Sequence, residues 1–212
     1  MKKQVRIEPH YLGSVAYFMF LRRFESVKWE IHEHFVKQTY RNRTVILGAN
    51  GVLPLTVPVN FKNHTPFKDV KVDWSQRWHL AHWRSIESSY AKSPYFDFFA
   101  SDYQSVLFSK SNFLLDLCRD MMTICLKHLQ IDMKIELTDH YDKQTAGNEM
   151  DARSLIHPKK RLDHNFNLTF TPYFQNFGKE FVPNLSILDL LFAVGLEASR
   201  YLQRDSESNE HL

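Results

Sequence analysis

Glycine is scarce here, with six residues in a chain of 212. That argues against a loop-rich scaffold, and no Walker loop or dinucleotide fingerprint occurs; "GANG" at 48–51 is a turn and cradles no phosphate. Cysteine is scarcer still, limited to Cys118 and Cys125. Seven residues apart on a segment that reads as helix, they sit about 10 Å apart along one face. That exceeds the roughly 7 Å at which disulfide reach ends, and no second pair completes a zinc site. Both read as reduced packing residues. Long apolar runs are also missing, since none approaches the roughly eighteen residues of a membrane span. The apolar stretch near the N-terminus is interrupted by Glu8 and His10 and closed by Arg22-Arg23, so it does not read as a signal peptide. A soluble, cytoplasmic protein is expected. The charge excess is small: 27 Lys and Arg against 24 Asp and Glu, with a pI near 8.8. That is too mild to imply nucleic acid. The early basic residues, Arg22-Arg23 and then Arg41 and Arg43, point instead to a local anionic site. Neither H-E-x-x-H nor G-x-S-x-G is present.

With 43% hydrophobic and 14% aromatic residues, the chain can bury a substantial core. One domain over residues 1–204 is expected, followed by a polar tail over 205–212. "QVRIE" at 4–8 reads as a first strand ended by Pro9, and "SVAYFMFLRRF" as a helix from Ser14. A second strand follows at 27–33. Asn50-Gly51 accepts positive φ at both turn positions of a hairpin. Leu53, Leu55, Val57 and Val59 alternate with Pro54, Thr56 and Pro58, and the two prolines mark an edge strand. Further strands are expected at 67–74 and 133–139, and helices at about 75–91, 94–108 and 111–130. Residues 140–165 read as polar and irregular. A last amphipathic helix runs from Ser186, capped by Asn184 or Ser186. The fold class is α/β: a single domain with a mixed sheet, an early β-hairpin and several packed helices.

Two segments could carry chemistry. In "EIHEHFVKQTYRNR" at 30–43, an extended backbone would put Lys37, Thr39, Arg41 and Arg43 on one face, and Gln38, Tyr40 and Asn42 on the other. Lys37 and Arg43 would bracket an anion, which arginine can hold through two parallel hydrogen bonds. Glu30 could orient either cation. The alternative is a solvated strand entrance with surface ion pairs. In "WSQRWHLAHWRSIESSY", Trp78, His82, Ser85 and Ser89 share a helix face. His82 is either a satisfied, half-buried histidine or an acid/base at a cleft wall.

The blocks "PHYLGSVAYF", "VKQTYRNR", "LPLTVPV", "HWRSIESSYAKSPYF" and "FVPNLSILDLLFAVG", in that order, resemble the WbqC-like family over nearly the whole chain. The most specific part is K-Q-x-Y-x-N-R followed by L-T-V-P-V. Many members open with His-Gln-Pro and then Tyr-Leu-Pro-Trp. Here the matching stretch is "EPHYLGSVAYF", with another residue at the leading histidine and Gly13 after Leu12, so no role for that histidine carries over. The resemblance implies a setting in bacterial surface polysaccharide (O-antigen type) biosynthesis. It marks Lys37, Gln38, Tyr40, Asn42 and Arg43 as a set.

Together these features suggest a small-molecule enzyme of transferase type acting on an anionic activated sugar or related metabolite. Lys37 and Arg43 would hold the anion, Gln38 and Asn42 would orient polar groups, and Glu30 or His82 would move the proton. No metal site, cofactor or oligomeric state is assigned, and nucleic acid is not an expected partner. A non-catalytic scaffold or ligand-binding module in a glycan-assembly complex is the rival. Ligands of open α/β sheets sit beyond the carboxyl ends of strands. "EPHYLG", "KQTYRNR" and the His82 helix face should therefore meet in one cleft, near Tyr11.

Overall fold

The computed structural model describes residues 4–145, 147–159 and 168–203; the polar tail expected at 205–212 lies outside them. Four strands form a wholly parallel sheet in the order β7-β2-β1-β8: β1 (Gln4–Ile7), β2 (Ser26–Trp29), β7 (Lys134–Leu137) and β8 (Glu149–Asp151). Antiparallel pairing is confined to two ribbons. One is the expected hairpin of β3 (Arg43–Gly48) and β4 (Gly51–Thr56), in which Pro54 faces Val45 and β4 has only β3 as neighbour. The other joins β5 (Val59–Asn60) to β6 (Lys71–Val72). The domain is thus α/β with parallel and antiparallel pairing, as expected.

Helices α2 (Trp78–Tyr90), α3 (Phe96–Phe108) and α4 (Leu114–Leu129) match the sequence pattern to within three residues at each end. Val5, Ile7 and Val27 are fully buried, as the strands of a covered parallel sheet must be. Helix α1 (Val15–Leu21) is buried on all sides, so its apolar residues form no stripe. It lies between the rest of the core and the segment before α5 (Ile187–Val194). Backbone bonds fix it there: Val15 N to Leu185 O and Ile187 N to Gly13 O, each 2.9 Å. A Cβ at Gly13 would lie 2.7 Å from the Tyr17 ring, so this close approach needs glycine. Ser186 caps α5 by accepting from the Leu188 N–H.

Several expected elements differ. The strand read at 27–33 ends at Trp29, because Glu30 begins the ion-pair lattice described below. The strand read at 67–74 is a turn of 3-10 helix (Phe67–Asp69) followed by the two residues of β6. The irregular stretch at 140–165 contains β8, a three-residue strand too short and polar to show a pattern. The last helix is not continuous. It breaks at Gly195, whose φ of 62° takes it out of helical geometry, and resumes as a 3-10 turn and then α6 (Ala198–Tyr201).

Two substitutions test these backbone assignments. Gln130 holds φ 54° at the end of α4, so Gln130→Gly should stabilise the fold by about 1 kcal/mol. At Gly195 a Cβ would come within 2.5 Å of the Tyr95 ring, and Gly195→Ala should destabilise by about 2 kcal/mol or more. Urea denaturation measures both; opposite signs would refute the assigned conformations.

Candidate functional site

Because all four strands of the main sheet run the same way, their carboxyl ends gather at one edge. The ladder continues one residue past each strand: Glu30 N bonds Ile7 O at 2.9 Å, Thr138 N bonds Trp29 O at 2.9 Å, and Ala152 N bonds Arg6 O at 2.8 Å. Glu8, Glu30, Thr138 and Arg153 are therefore neighbours although up to 145 positions separate them.

Glu30 is at the centre of this edge, with its side chain fully buried. Its Oε1 accepts from the His32 N–H at 2.9 Å and the Thr138 hydroxyl at 3.1 Å. Its Oε2 faces Arg6 at 3.7 Å and Arg153 at 3.6 Å. Arg6 in turn meets Glu149 at 2.8 Å and Asp142 at 3.3 Å. Arg153 takes both oxygens of Asp151, at 2.6 and 2.9 Å, and donates to the carbonyls of Asp142 and Lys143. With its two oxygens shared among Arg6, Arg153, the His32 amide and the Thr138 hydroxyl, Glu30 is placed to hold the edge together.

Beside this lattice lies a second cluster that the residue patterns did not assign: Glu8, His10 and Arg41, each under 5% exposed. Glu8 Oε1 is 3.7 Å from His10 Nε2, and Glu8 Oε2 accepts from the Ser154 N–H at 2.9 Å. Burial acts to raise the Glu8 carboxyl, but His10, the Arg41 guanidinium and the Ser154 amide outweigh it and hold it below the usual range. Burial drives the His10 ring down, against the attraction of Glu8 and with repulsion from Arg41 and His157, so the imidazole is neutral. The ring stacks on Tyr17 at 4.1 Å and tilts against Tyr40 at 5.4 Å. Its Nε2 faces Glu8, and its buried Nδ1 has no hydrogen-bond partner. Arg41 pairs with Glu33 through Nη2, while its buried Nη1 has no hydrogen-bond partner. Buried polar atoms are nearly always satisfied, so these atoms are exceptions within the described core. The available sequence signal was position: Glu8 and His10 lie within three residues of the end of β1, where α/β sheets place their ligands.

The other expected residues are distributed as follows. Residues 37–41 form a turn, with Gln38 at φ 59°, so Lys37, Arg41 and Arg43 do not share a strand face. Lys37 is exposed and lies over the Phe61 ring at 5.0 Å. Gln38 is exposed and accepts from the Lys159 ammonium at 3.4 Å. Asn42 is buried and donates to Val57 O at 2.8 Å, closing the hairpin. Arg43 begins β3, with a buried Nε that lacks a hydrogen-bond partner. Tyr40 and Tyr11 meet through the backbone, Tyr11 N to Tyr40 O at 2.9 Å. The Tyr11 hydroxyl is 3.1 Å from His82 Nδ1, and the backbone of Thr56 also acts on the ring. The three segments expected to converge do touch at Tyr11, but Glu30 and His82 belong to different clusters. A cavity lined by Val15, Phe170, Tyr173, Phe181 and Tyr201 includes none of these residues and has room for about one water.

These features define a class: an α/β domain with a buried carboxylate–imidazole–guanidinium cluster at the carboxyl edge of a parallel sheet. The chain belongs to the WbqC-like protein family, whose pattern matches residues 8–201. It is similar to the uncharacterized protein Rv1507c of Mycobacterium tuberculosis, with 25% identity over 228 residues covering 96% of this chain and 98% of that one. No solved structure matches it. Among the described residues, no helix is long and apolar enough to cross a membrane, and no three His, Cys, Asp or Glu side chains converge as metal ligands.

His82 gives this region a measurable pH dependence. Burial pushes its ring down to about 4, helped by His79 and opposed by the Thr56 backbone. The unfolded chain gains a proton near pH 6.5, while the folded chain does so only near 4. Stability from this residue is therefore complete above pH 6.5 and is lost as pH falls from 6.5 to 4, by up to about 3 kcal/mol. Urea melts at pH 7, 5.5 and 4.5 should show a shallower loss for His82→Asn than for the wild type. Parallel losses would remove the assignment.

Proposed function

We propose that the protein is a small-molecule enzyme of the transferase type. Its substrate is an anionic activated sugar or related metabolite, and its setting is surface polysaccharide assembly. The buried Nδ1 of His10 and Nη1 of Arg41, neither with a hydrogen-bond partner, are the observation that carries this reading. Neutral His10 is the general base: it takes a proton from the acceptor's nucleophile, and Glu8 steadies the imidazolium that forms. The 3.7 Å gap between them is long for a hydrogen bond, as is common before substrate binds. Arg41 uses its free Nη1 on the donor's anionic group, which leaves as its bond to the transferred unit breaks. Tyr11, Tyr40 and Asn42 shape the wall, Lys37, Gln38 and Arg43 form the cationic and polar approach, and Glu30 and His82 keep these pieces in position. The association of the WbqC-like family with surface polysaccharide supports the substrate class.

The non-catalytic alternative draws on exposed rings, Phe98 and Phe174, each 75% exposed. Such rings suit a partner protein better than a metabolite. A thermal-shift screen of nucleotide sugars, sugar phosphates and acyl donors separates the two readings. Binding at one hundred times the dissociation constant should stabilise the wild type by about 2.7 kcal/mol. Arg41→Gln should weaken that binding by roughly 1.5–3 kcal/mol, the loss of a charged hydrogen bond. His10→Asn should retain binding and lose turnover. If no compound of these classes binds, or if both variants behave as wild type, the enzyme assignment fails.

A further inference from the structure

His34 and His64 lie outside the cluster assigned above, and nothing in the proposed reaction uses them. Both are exposed, and their Nδ1 atoms face each other at 3.3 Å with ring centroids 4.9 Å apart. We infer that this pair is a bidentate site for a borderline transition-metal dication of the zinc type.

The distance is the first argument. Two imidazole nitrogens, each about 2.05 Å from a tetrahedral zinc, stand about 3.3 Å apart. Without an ion the same two atoms share a hydrogen bond at 3.3 Å, just past the long end of its usual span of roughly 2.7–3.2 Å, so taking up the metal requires little movement. Preorganisation is the second. The two histidines are positioned by backbone rather than by their own contact: His34 bridges Pro66, Phe35 N bonds Thr65 O at 2.9 Å, and Phe67 N bonds Glu33 O at 2.9 Å. Thr65 further locks the turn through its hydroxyl, which accepts from Lys62 N at 3.0 Å and donates to Lys62 O at 2.8 Å. His64 is held at φ 65°, a conformation that few residues adopt and that histidine tolerates better than most. A site already in its bound geometry loses little entropy on taking up the ion. Ligand type is the third argument, because neutral imidazole suits zinc, copper and nickel and is poor for magnesium or calcium. With no third protein ligand converging among the described residues, the other coordination positions are open to water or to an external donor. The metal would clip the 33–36 segment to the 62–66 turn. Glu33, the partner of Arg41, stands at the base of that clip, so the ion would stiffen one border of the acid–base cluster.

Titration calorimetry with zinc chloride on the full chain tests this, using wild type, His34→Ala, His64→Ala and the double variant. Both rings are exposed, and unchanged melting in EDTA would establish that the variants fold. The wild type should take up one zinc that the double variant does not. Each single variant should bind it about tenfold or more weakly, the scale on which even outer-shell changes act. Zinc should also raise the wild-type melting temperature where magnesium does not. Equal zinc uptake by wild type and double variant, or no saturable uptake by wild type, would overturn the inference.

Discussion

Glu30 is the point on which the edge of this protein depends. It ends β2, and its carboxylate faces Arg6 from β1 and Arg153 from the residues after β8. Two buried guanidinium groups and their carboxylates lose a great deal of hydration, and only close mutual pairing offsets that cost. Taking away one partner of such a group typically costs about 3–5 kcal/mol, because the others are left buried and unmatched. The lattice therefore holds the strand ends in one arrangement more than it adds net stability.

That arrangement reaches the acid–base cluster through a short path. Arg153 is fixed by Asp151 and Glu30, which sets the position of the next residue, Ser154, in a left-handed backbone conformation. The Ser154 amide then donates to Glu8, and Glu8 faces His10. A charge lattice on one strand edge thus fixes the orientation of a carboxylate that has no direct contact with Arg153. The neutral state of His10 follows from burial and from Arg41, so the cluster pairs an unprotonated base with an unprotonated, charged carboxylate near neutrality.

The Tyr11–His82 contact plays a different part. It ties the turn after β1 to α2, while Tyr11 N ties the same turn to the Tyr40 carbonyl. His82 is buried, with Nδ1 on the Tyr11 hydroxyl. Trp78 packs edge-on against it at 5.0 Å, completing its enclosure. The approach at Lys37 and Gln38 is by contrast solvated, and its charges are screened accordingly.

The sequence by itself determined the elements whose pattern is local. The β3–β4 hairpin follows from alternation, although its turn residues are Ala49 and Asn50 and only Gly51, which begins β4, takes a positive φ; α2 to α4 follow from helical spacing, and Ser186 caps α5 as a hydroxyl before an apolar run should. It placed Glu8 at the end of the first strand but gave neither Glu8 nor His10 a role, and their pairing could not be read from it. What only the tertiary structure decided was which distant residues meet. β8 is three residues, Glu149-Met150-Asp151, whose strand identity comes from pairing with β1, so no periodicity could disclose it. Arg41 looked like a partner of Lys37 and Arg43, yet the turn at Gln38 rotates it inward to Glu33. Glu30, Arg6 and Arg153 are 24 to 147 positions apart, and they meet because parallel strands bring all their carboxyl ends to one edge. Side-chain spacing along a strand or helix is fixed by local geometry, whereas the partner of a buried charge is fixed by chain topology.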